Sequence, residues 1–240
     1  MSEVSYSTLA RAHHIFYKLY FPHTKIASTL DKYLKQYNCK QIVFFGGFIQ
    51  TAKILQQNGY KITFVDYTKE MVDKAKKTLK DMMFVVSDMR TVDLDKKFDA
   101  IILMGRIMTY MYTDKDVLRA LRAFKNNLKI GGIVLFDNYE TGKMGKDEYF
   151  NGTIQATGDG ITVHRISTIK QIQLLPSLYN WDTIYEIENG KKDVYEDNNH
   201  ILRAVTKEEI KKLVEKAGLK FIKNAPNFEK RSFITLAQNL

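Results

Sequence analysis

The alternation of two hydrophobic periods along the first 140 residues is the strongest constraint on the fold of this chain. Five continuous apolar runs are typical of buried strands: 41–45 (QIVFF), 61–66 (KITFVD), 83–87, 100–104 (AIILM) and 133–137. Segments with helical spacing lie between them at 49–58, 68–79 and 116–128. Strands that alternate with helices in this order indicate an α/β fold with a parallel sheet.

The pattern changes from about residue 143 to alternation with period two. Four segments show it: 150–156, 161–172, 178–187 and 192–202. The GDG and ENGKK breaks between them are typical of hairpins, so we expect an antiparallel sheet of three or four strands. A capped helix at 206–217 and short strands at 221–222 and 233–236 then follow. We therefore predict an α/β core of 1–142 and 203–240, with a seven-stranded mixed sheet, and an antiparallel β insertion at 143–202.

The composition limits the kinds of molecule that this chain is expected to bind. The net charge is +10, but the basic residues are spread along helical segments, and the sequence has no run of five or more of them. This disfavours nucleic acid. No apolar run approaches the roughly 18 residues of a membrane span. The N-terminus has no secretory pattern, and the single cysteine, Cys39, has no partner for a disulfide. We expect a cytoplasmic protein with a small-molecule substrate.

Seven residues lie at the carboxyl ends of the predicted strands or in the loops after them. A doubly wound sheet binds its ligands at this edge. In chain order they are Gly46, Gly47, Asp66, Tyr67, Asp88, Met89 and Met104. An acid after the second strand is placed to accept hydrogen bonds from both ribose hydroxyls. An Asp after the third is placed to accept from the adenine amine, with the neighbouring Met on the ring. Each Asp alone fits a helix cap equally well, but together they favour a cofactor that contains adenosine.

Four segments resemble the class I S-adenosylmethionine-dependent methyltransferases. They are GYKITFVDYTKEMVDKAKK at 59–77, FVVSDMR at 84–90, FDAIILM at 98–104 and LKIGGIVLF at 128–136. The resemblance covers most of 12–140 and 203–236. It implies a Rossmann-like fold, S-adenosylmethionine as the cofactor, and contacts from the loop residues above to that cofactor. Within the superfamily the chain looks most like the N,N-dimethyltransferases of nucleotide-linked deoxyaminosugars, in which an antiparallel insert follows the fifth strand.

The first loop departs from the family pattern, in which an acid holds the methionine amine and glycines let the backbone approach the cofactor. Here Phe44 stands where the acid is expected, and Phe48 is among the residues that replace the later glycines. A Cβ at such a position is a steric obstacle. Two hypotheses follow. One is a methyltransferase that acts on a small-molecule amine or hydroxyl, with a sugar among the candidates. The other is a catalytically inactive methyltransferase-like binding or scaffold protein.

The N-terminal helix supplies the candidate catalytic residue, Tyr17. The resemblance implies that a tyrosine here lies over the cofactor and helps to orient the acceptor, whereas its helical spacing also fits a core aromatic. His13, His14 and His23 are candidates for a general base, with a structural role as the alternative for each. Methyl transfer from a sulfonium can also proceed by alignment with an unprotonated acceptor, so the chemistry does not demand a base.

Two further features leave alternatives open. Arg106, after the fourth strand, either holds an acidic or phosphorylated substrate or extends its side chain along the surface. Trp181, with Tyr179, Tyr185 and Tyr195, gives the insertion an aromatic face that fits a cover over the site, a homodimer contact or plain packing. The sequence has no NPPY-like or DPPY-like motif, which disfavours nucleic-acid bases as acceptors.

Overall fold

The computed structural model describes residues 3–240, with side chains from residue 12 onward. The helices are α1 (Glu3–Tyr20), α2 (His23–Gln36), α3 (Ile49–Gln57), α4 (Lys69–Thr78), α5 (Asp114–Asn127) and α6 (Lys207–Lys216). The strands are β1 (Gln41–Phe45), β2 (Lys61–Asp66), β3 (Met83–Val86), β4 (Phe98–Leu103), β5 (Leu128–Tyr139), β6 (Gly152–Gly158), β7 (Ile161–Gln173), β8 (Ser177–Glu188), β9 (Lys192–Ala204), β10 (Lys220–Pro226) and β11 (Ser232–Gln238). Residues 1 and 2 of the predicted core lie outside the described residues.

A seven-stranded mixed sheet forms the centre of the molecule, in the order β10-β11-β5-β4-β1-β2-β3. The five strands from β5 to β3 are parallel, and β11 is antiparallel to both of its neighbours. In the β1–β2 pair, Gln41 lies opposite Lys61 and Phe45 opposite Val65. The predicted fold class is therefore confirmed, and the loops after β1, β2, β3 and β4 share one edge of the sheet.

Each face of this sheet is covered by helices. Ile42 and Phe44 of β1 pack in a cluster with residues of α1 to α4, whereas Val43 and Phe45 pack in a second cluster with residues of α5 and α6. A strand that is buried on both faces needs apolar side chains on both, because neither face meets water. This explains why the parallel strands read as continuous apolar runs.

Several element boundaries differ from the predicted ones, among them the starts of α5 and β5. Helix α5 begins at Asp114 rather than at residue 116, because the Thr113 side chain accepts a hydrogen bond from Asp116 N at 3.1 Å and caps the helix. Strand β5 begins at Leu128 rather than at 133. Gly131, with φ +81°, lets the strand continue through an irregular turn while its N–H donates to Asn239 O at 2.7 Å.

A second, four-stranded antiparallel sheet lies between β5 and α6 in the chain, in the order β6-β7-β8-β9. It packs on α1: Tyr185 and Ile187 of β8 share a buried cluster with Ala12 and Phe16. Its strands fall within or close to the predicted insertion, whose limits as a separate unit stay a prediction. No helix in residues 3–240 is long and apolar enough to cross a membrane.

Candidate active site

The loop after β1 is closely covered by apolar side chains. Gly46 has φ +87°, and a Cβ added there would lie 3.1 Å from two carbons of Ile107. At Gly47 the nearest side-chain atoms are Met71 Cε at 3.6 Å and Tyr17 Cδ2 at 4.0 Å. The loop therefore needs glycine at Gly46 for its backbone conformation and also for the close approach of Ile107.

Two phenylalanines replace polar or small residues of the family's first loop. Phe44 is fully buried and stacks on Phe64 with centroids 6.5 Å apart, so the position of the expected acid lies in the core. Phe48 precedes α3 and is also buried. Its ring packs on Phe21 at 4.9 Å and on Tyr17 at 6.1 Å. Both positions carry a phenylalanine, so neither supplies a carboxylate in place of the acid that the family pattern has in this loop.

Asp66 ends β2 and holds the start of α4. Its Oδ1 accepts hydrogen bonds from Thr68 N at 2.9 Å and from the Thr68 hydroxyl at 3.0 Å, and Thr68 in turn caps the helix by accepting from Met71 N. The Tyr67 backbone also hydrogen-bonds to this carboxylate. Burial raises the pKa of Asp66, against the effect of the Thr68 hydrogen bonds. Asp66 is half-buried and lies next to the exposed ring of Tyr67.

Asp88 lies after β3 and is bound by Arg90. The Arg90 Nε is 3.0 Å from both carboxylate oxygens, and Arg90 N donates to Oδ1 at 2.8 Å. The hydrogen bond from Arg90 holds the pKa of Asp88 below its usual range, although burial opposes this. Arg90 Nη2 also donates to Oδ2 at 2.5 Å, so Arg90 hydrogen-bonds to both oxygens of this carboxylate. Met89 beside it is half-buried against the α5 side of the sheet.

The loop after β4 places Arg106 in the interior. Met104 is buried, Gly105 has φ +96°, and Arg106 itself has a left-handed backbone with φ 60°. Its backbone N–H donates to Asp137 Oδ1 at 2.6 Å, which holds this conformation. Only 2% of Arg106 is exposed, so its interpretation as a surface side chain is wrong. Sequence spacing gave no sign of burial, because the rings that cover the guanidinium come from distant segments.

A hydrogen-bonded network lies between α1 and the second sheet, beside Tyr17. His13 Nε2 is 3.4 Å from Asp197 Oδ2, and His200 Nδ1 is 3.1 Å from the same oxygen. His200 Nε2 lies 3.0 Å from the Tyr110 hydroxyl. The ring of His13 stacks on Tyr17 at 5.8 Å with planes 4° apart. Burial alone would raise the pKa of Asp197, yet His13 and His200 hold it well below its usual range.

This network was only partly visible in the sequence. His13 and Tyr17 were candidates, but Asp197 and His200 were not, because they lie in a strand of the insertion far along the chain. His23 has a structural role: its Nε2 lies 2.9 Å from Tyr17 O and its Nδ1 2.9 Å from the Thr51 hydroxyl. Burial lowers the pKa of His23 and also of His14. Of the three histidine candidates, His13 is the one that bonds a carboxylate.

The aromatic face of the insertion is packed within the chain. Trp181 stacks on Tyr149 at 5.7 Å and contacts Phe150 edge-on at 5.8 Å, and both Trp181 and Tyr179 are buried. Tyr185 is buried against His13 and Phe16 of α1. Trp181, Tyr179 and Tyr185 therefore pack inside the chain, which was one of the three interpretations of this aromatic face. The homodimer stays a prediction.

Residues 46–132 match the family model described as a methyltransferase domain. This chain therefore contains a region similar to methyltransferase domains, over little more than a third of its length. Its fold agrees with the crystal structure of Streptomyces venezuelae DesVI, with a TM-score of 0.85 at 17% identity over 96% of this chain and 98% of that one. It also agrees with CalS10 from Micromonospora echinaspora, an amino pentose methyltransferase solved with S-adenosylmethionine bound. That TM-score is 0.79 at 15% identity, over all of this chain and 98% of the other.

A curated relative has a more specific name. The chain is 27% identical over 103 residues to the dTDP-3-amino-3,4,6-trideoxy-alpha-D-glucopyranose N,N-dimethyltransferase of Streptomyces venezuelae. The match covers 43% of each protein, so the chain aligns with less than half the length of that relative. The methyltransferase domain and the fold confirm the resemblance found in the sequence, and they support S-adenosylmethionine as the cofactor.

The residues of the domain fit the two halves of this cofactor differently. On the predicted adenosine side, Asp66 and Asp88 supply carboxylates that already accept hydrogen bonds within the chain. On the methionine side, Phe48 and Ile107 pack against Gly105 and Gly46. The predicted adenosine side therefore offers carboxylate acceptors, whereas apolar side chains pack on the glycines of the other two loops.

Proposed function

We propose that this domain transfers a methyl group from S-adenosylmethionine to an amino group of a small molecule, and that the acceptor is an amino sugar. The observation that carries the proposal is the His13–Asp197–His200 network beside Tyr17. The names of the similar proteins support the acceptor class, since one is an amino pentose methyltransferase and another an aminosugar N,N-dimethyltransferase.

The cofactor, when bound, supplies a methyl group on a positively charged sulfur. The protein's part is to align the acceptor and to leave its nitrogen unprotonated, because only the free lone pair can attack. Most amines are protonated near neutral pH, so a nearby proton acceptor increases the reactive fraction.

His13 is placed to be that proton acceptor. The Asp197 carboxylate can only accept hydrogen bonds, so His13 Nε2 carries a hydrogen toward it. The neutral ring then has its lone pair on Nδ1, which has no hydrogen-bond partner among the described residues. Asp197 orients the ring and fixes its tautomer, as carboxylates commonly do for catalytic histidines. The stacked ring of Tyr17 lies beside it, where the resemblance expects an acceptor-orienting tyrosine.

The same arrangement favours catalysis over the inactive alternative. Asp197 and His200 are on β9, whereas His13 and Tyr17 are on α1, so the insertion completes the network. A binding or scaffold module has no need of a carboxylate–histidine pair beside the cofactor edge of the sheet. The similar proteins named above are methyltransferases, which gives the inactive hypothesis no support.

Two measurements test the proposal. The first is calorimetric titration with S-adenosylmethionine and S-adenosylhomocysteine; absence of binding by either at millimolar concentration rejects the function. The second is formation of S-adenosylhomocysteine with nucleotide-linked amino sugars, compared with the corresponding hydroxy sugars. We expect turnover with the amino sugars alone; turnover confined to the hydroxy sugars would contradict the choice of nitrogen.

Variants test the role of the network. His13→Gln and Asp197→Asn should lower kcat by about a hundredfold or more, the usual contribution of a positioned base. Cofactor affinity should stay unchanged. The matched control is His164→Gln, since His164 is a half-buried histidine of β7 outside the network. If the network variants turn over like the control, the proton-acceptor role is wrong.

A further inference from the structure

Four buried or largely buried arginines lie around the second sheet, and they differ in their partners. Arg203 forms an ion pair with Asp114, and Arg231 with Asp147 at 2.5 Å and Glu229 at 2.8 Å. Arg106 and Arg165 form no ion pair with any carboxylate of the described residues. Both are almost completely inaccessible to solvent, with 2% and 0% exposed. The two least accessible guanidiniums are therefore the two without an ion pair, although the Asp137 and Glu229 carboxylates act on Arg106 from a greater distance.

Aromatic rings surround the guanidinium of Arg106. Its Cζ lies 5.0 Å from the Phe21 ring, 5.1 Å from Tyr139 and 5.5 Å from Phe228. Nη2 donates to the Tyr149 hydroxyl at 2.8 Å. Nε and Nη1 have no acceptor among the described residues. The rings stabilise the positive charge, but they do not replace the hydrogen bonds that these two donors lack.

Arg165 occupies a similar environment on the other side of Tyr149. Its Cζ is 4.0 Å from the Tyr149 ring and 4.7 Å from Trp181, and Nη2 donates to Tyr149 O at 2.6 Å. Its Nε and Nη1 also lack acceptors, as does Trp181 Nε1. Both arginines thus converge on Tyr149 with unused N–H donors.

An unpaired buried guanidinium is costly, and arginine does not lose its proton to escape the cost. The surroundings favour a negative charge at this place. Burial alone would raise the pKa of Tyr149, yet Arg106 and Arg165 together bring it below its usual value. Carboxylate and phosphoryl oxygens are the acceptors that match the planar donor set of arginine.

The pair also lies next to the proposed methyl-transfer site. The Phe21 ring that covers Arg106 is 5.2 Å from the Tyr17 ring. The Phe16 ring, 4.9 Å from Arg165 Cζ, is 6.1 Å from Tyr17. Each guanidinium is therefore separated from Tyr17 by a single aromatic ring.

We propose that Arg106 and Arg165 form an oxyanion subsite that holds a phosphoryl or carboxylate group of the methyl acceptor. This inference rests on the proposed function for the identity of its ligand. It agrees with the sequence interpretation in which Arg106 holds an acidic or phosphorylated substrate. Arg165 was not a candidate in the sequence. Anion oxygens would accept from the Nε and Nη1 donors that now have no partner.

The test measures anion binding by the intact chain without methyl donor or acceptor. Calorimetric titrations use pyrophosphate and acetate, which distinguish a phosphoryl from a carboxylate ligand, and thermal melts follow the same additions. We expect at least one probe to bind and to raise the melting temperature, as any ligand of the folded state does. Arg106→Gln and Arg165→Gln should each weaken binding by at least about tenfold, the loss expected for one charge-assisted hydrogen bond.

Arg231→Gln is the matched control. Arg231 lies 4.2 Å from the same Tyr149 ring but has its own carboxylates, so its removal should leave the affinity within about threefold. Arg165→Lys keeps the charge and loses the planar fork, and it supplies an interpretable variant if the glutamine variants do not fold. We expect Arg165→Lys to bind more weakly than the wild type and more tightly than Arg165→Gln.

Three results would overturn the subsite. The first is that neither probe binds the wild-type chain. The second is that the Arg106 and Arg165 variants bind the probes as tightly as the wild type does. The third is an ultraviolet difference spectrum that shows tyrosinate near neutral pH and loses this signal in Tyr149→Phe. In the last case Tyr149 itself is the missing anion. Cofactor titration separates the two proposals: anion binding without cofactor binding rejects the methyltransferase function alone, and the reverse rejects the subsite alone.

Discussion

The ring of Phe48 packs against Gly105. A Cβ added at Gly105 would lie 3.0 Å from Phe48 Cε1 and 3.2 Å from Cδ1, closer than side-chain carbons normally approach. This contact joins the loop after β1 to the loop after β4. Phe48 stands where the family pattern has a glycine, and its ring therefore fills space that a glycine would leave empty.

Shortening Phe48 should improve cofactor affinity while it weakens the fold. Phe48→Leu removes ring atoms from above Gly105, so we expect tighter binding of S-adenosylmethionine in calorimetry. Loss of buried packing should lower the free energy of unfolding by about 1–3 kcal/mol. Phe44→Leu is the matched control, because Phe44 is equally buried but packs on Phe64. It should cost similar stability and leave affinity unchanged. Equal or weaker cofactor binding by Phe48→Leu would contradict this steric interpretation.

Asp66→Asn should separate cofactor binding from helix capping. The amide oxygen can still accept from Thr68 N and its hydroxyl, so the melting temperature should change little. The lost charge should weaken cofactor binding by about ten- to a hundredfold, the loss of one charge-assisted hydrogen bond. Thr68→Ala is the converse control, since it removes the cap at about 1 kcal/mol and spares the carboxylate. A lowered melting temperature with unchanged affinity in Asp66→Asn would make Asp66 structural.

Tyr17→Phe should reduce catalysis without a loss of stability. The Tyr17 hydroxyl has no hydrogen bond within the described residues, and burial raises its pKa to about 12, so it remains a neutral donor for the acceptor. We expect kcat/KM to fall by roughly ten- to a hundredfold, with the melting temperature unchanged. Tyr20→Phe, on the same helix and stacked on Phe16 at 4.9 Å, should keep full activity. Equal activities of the two variants would leave Tyr17 as a packing residue.

His23 should make stability depend on pH in the weakly acidic range. Burial lowers its pKa in the folded chain, whereas the unfolded chain binds a proton at the ordinary value of 6.5. The unfolded state then holds more protons below that value, so this contribution to stability is present above pH 6.5 and is lost as the pH falls. His14 shifts in the same direction. Between about pH 8 and about pH 5.5, the melting temperature of His23→Gln should fall less than that of the wild type. The melting temperature of the His164→Gln control should fall as much as that of the wild type. If the melting temperature of His23→Gln falls as much as that of the wild type, His23 is not the source of this pH dependence.

The strands and most helix ends could be predicted from local pattern. Strands β1 and β2 have the predicted limits, because a continuous apolar run between turn residues has few other ways to be buried. Thr68 and Thr206 mark helix starts because a hydroxyl satisfies N–H groups only a few residues away. Where a prediction failed, as at the start of β5, the deciding contact was the distant one between Gly131 and Asn239.

The fold class and the row of loop residues at the strand ends could be predicted from the sequence, since both depend on spacing along the chain. Which side chains meet depends instead on how the elements pack. His13 finds Asp197 and His200 because the second sheet packs on α1, and Arg106 and Arg165 meet at Tyr149 because the chain buries all three together. Such contacts depend on the packing of separate elements, and no local periodicity encodes them. The physical reason is the range of the interaction: hydrogen bonds within a helix or turn join near neighbours in sequence, whereas site chemistry joins residues that only folding brings together.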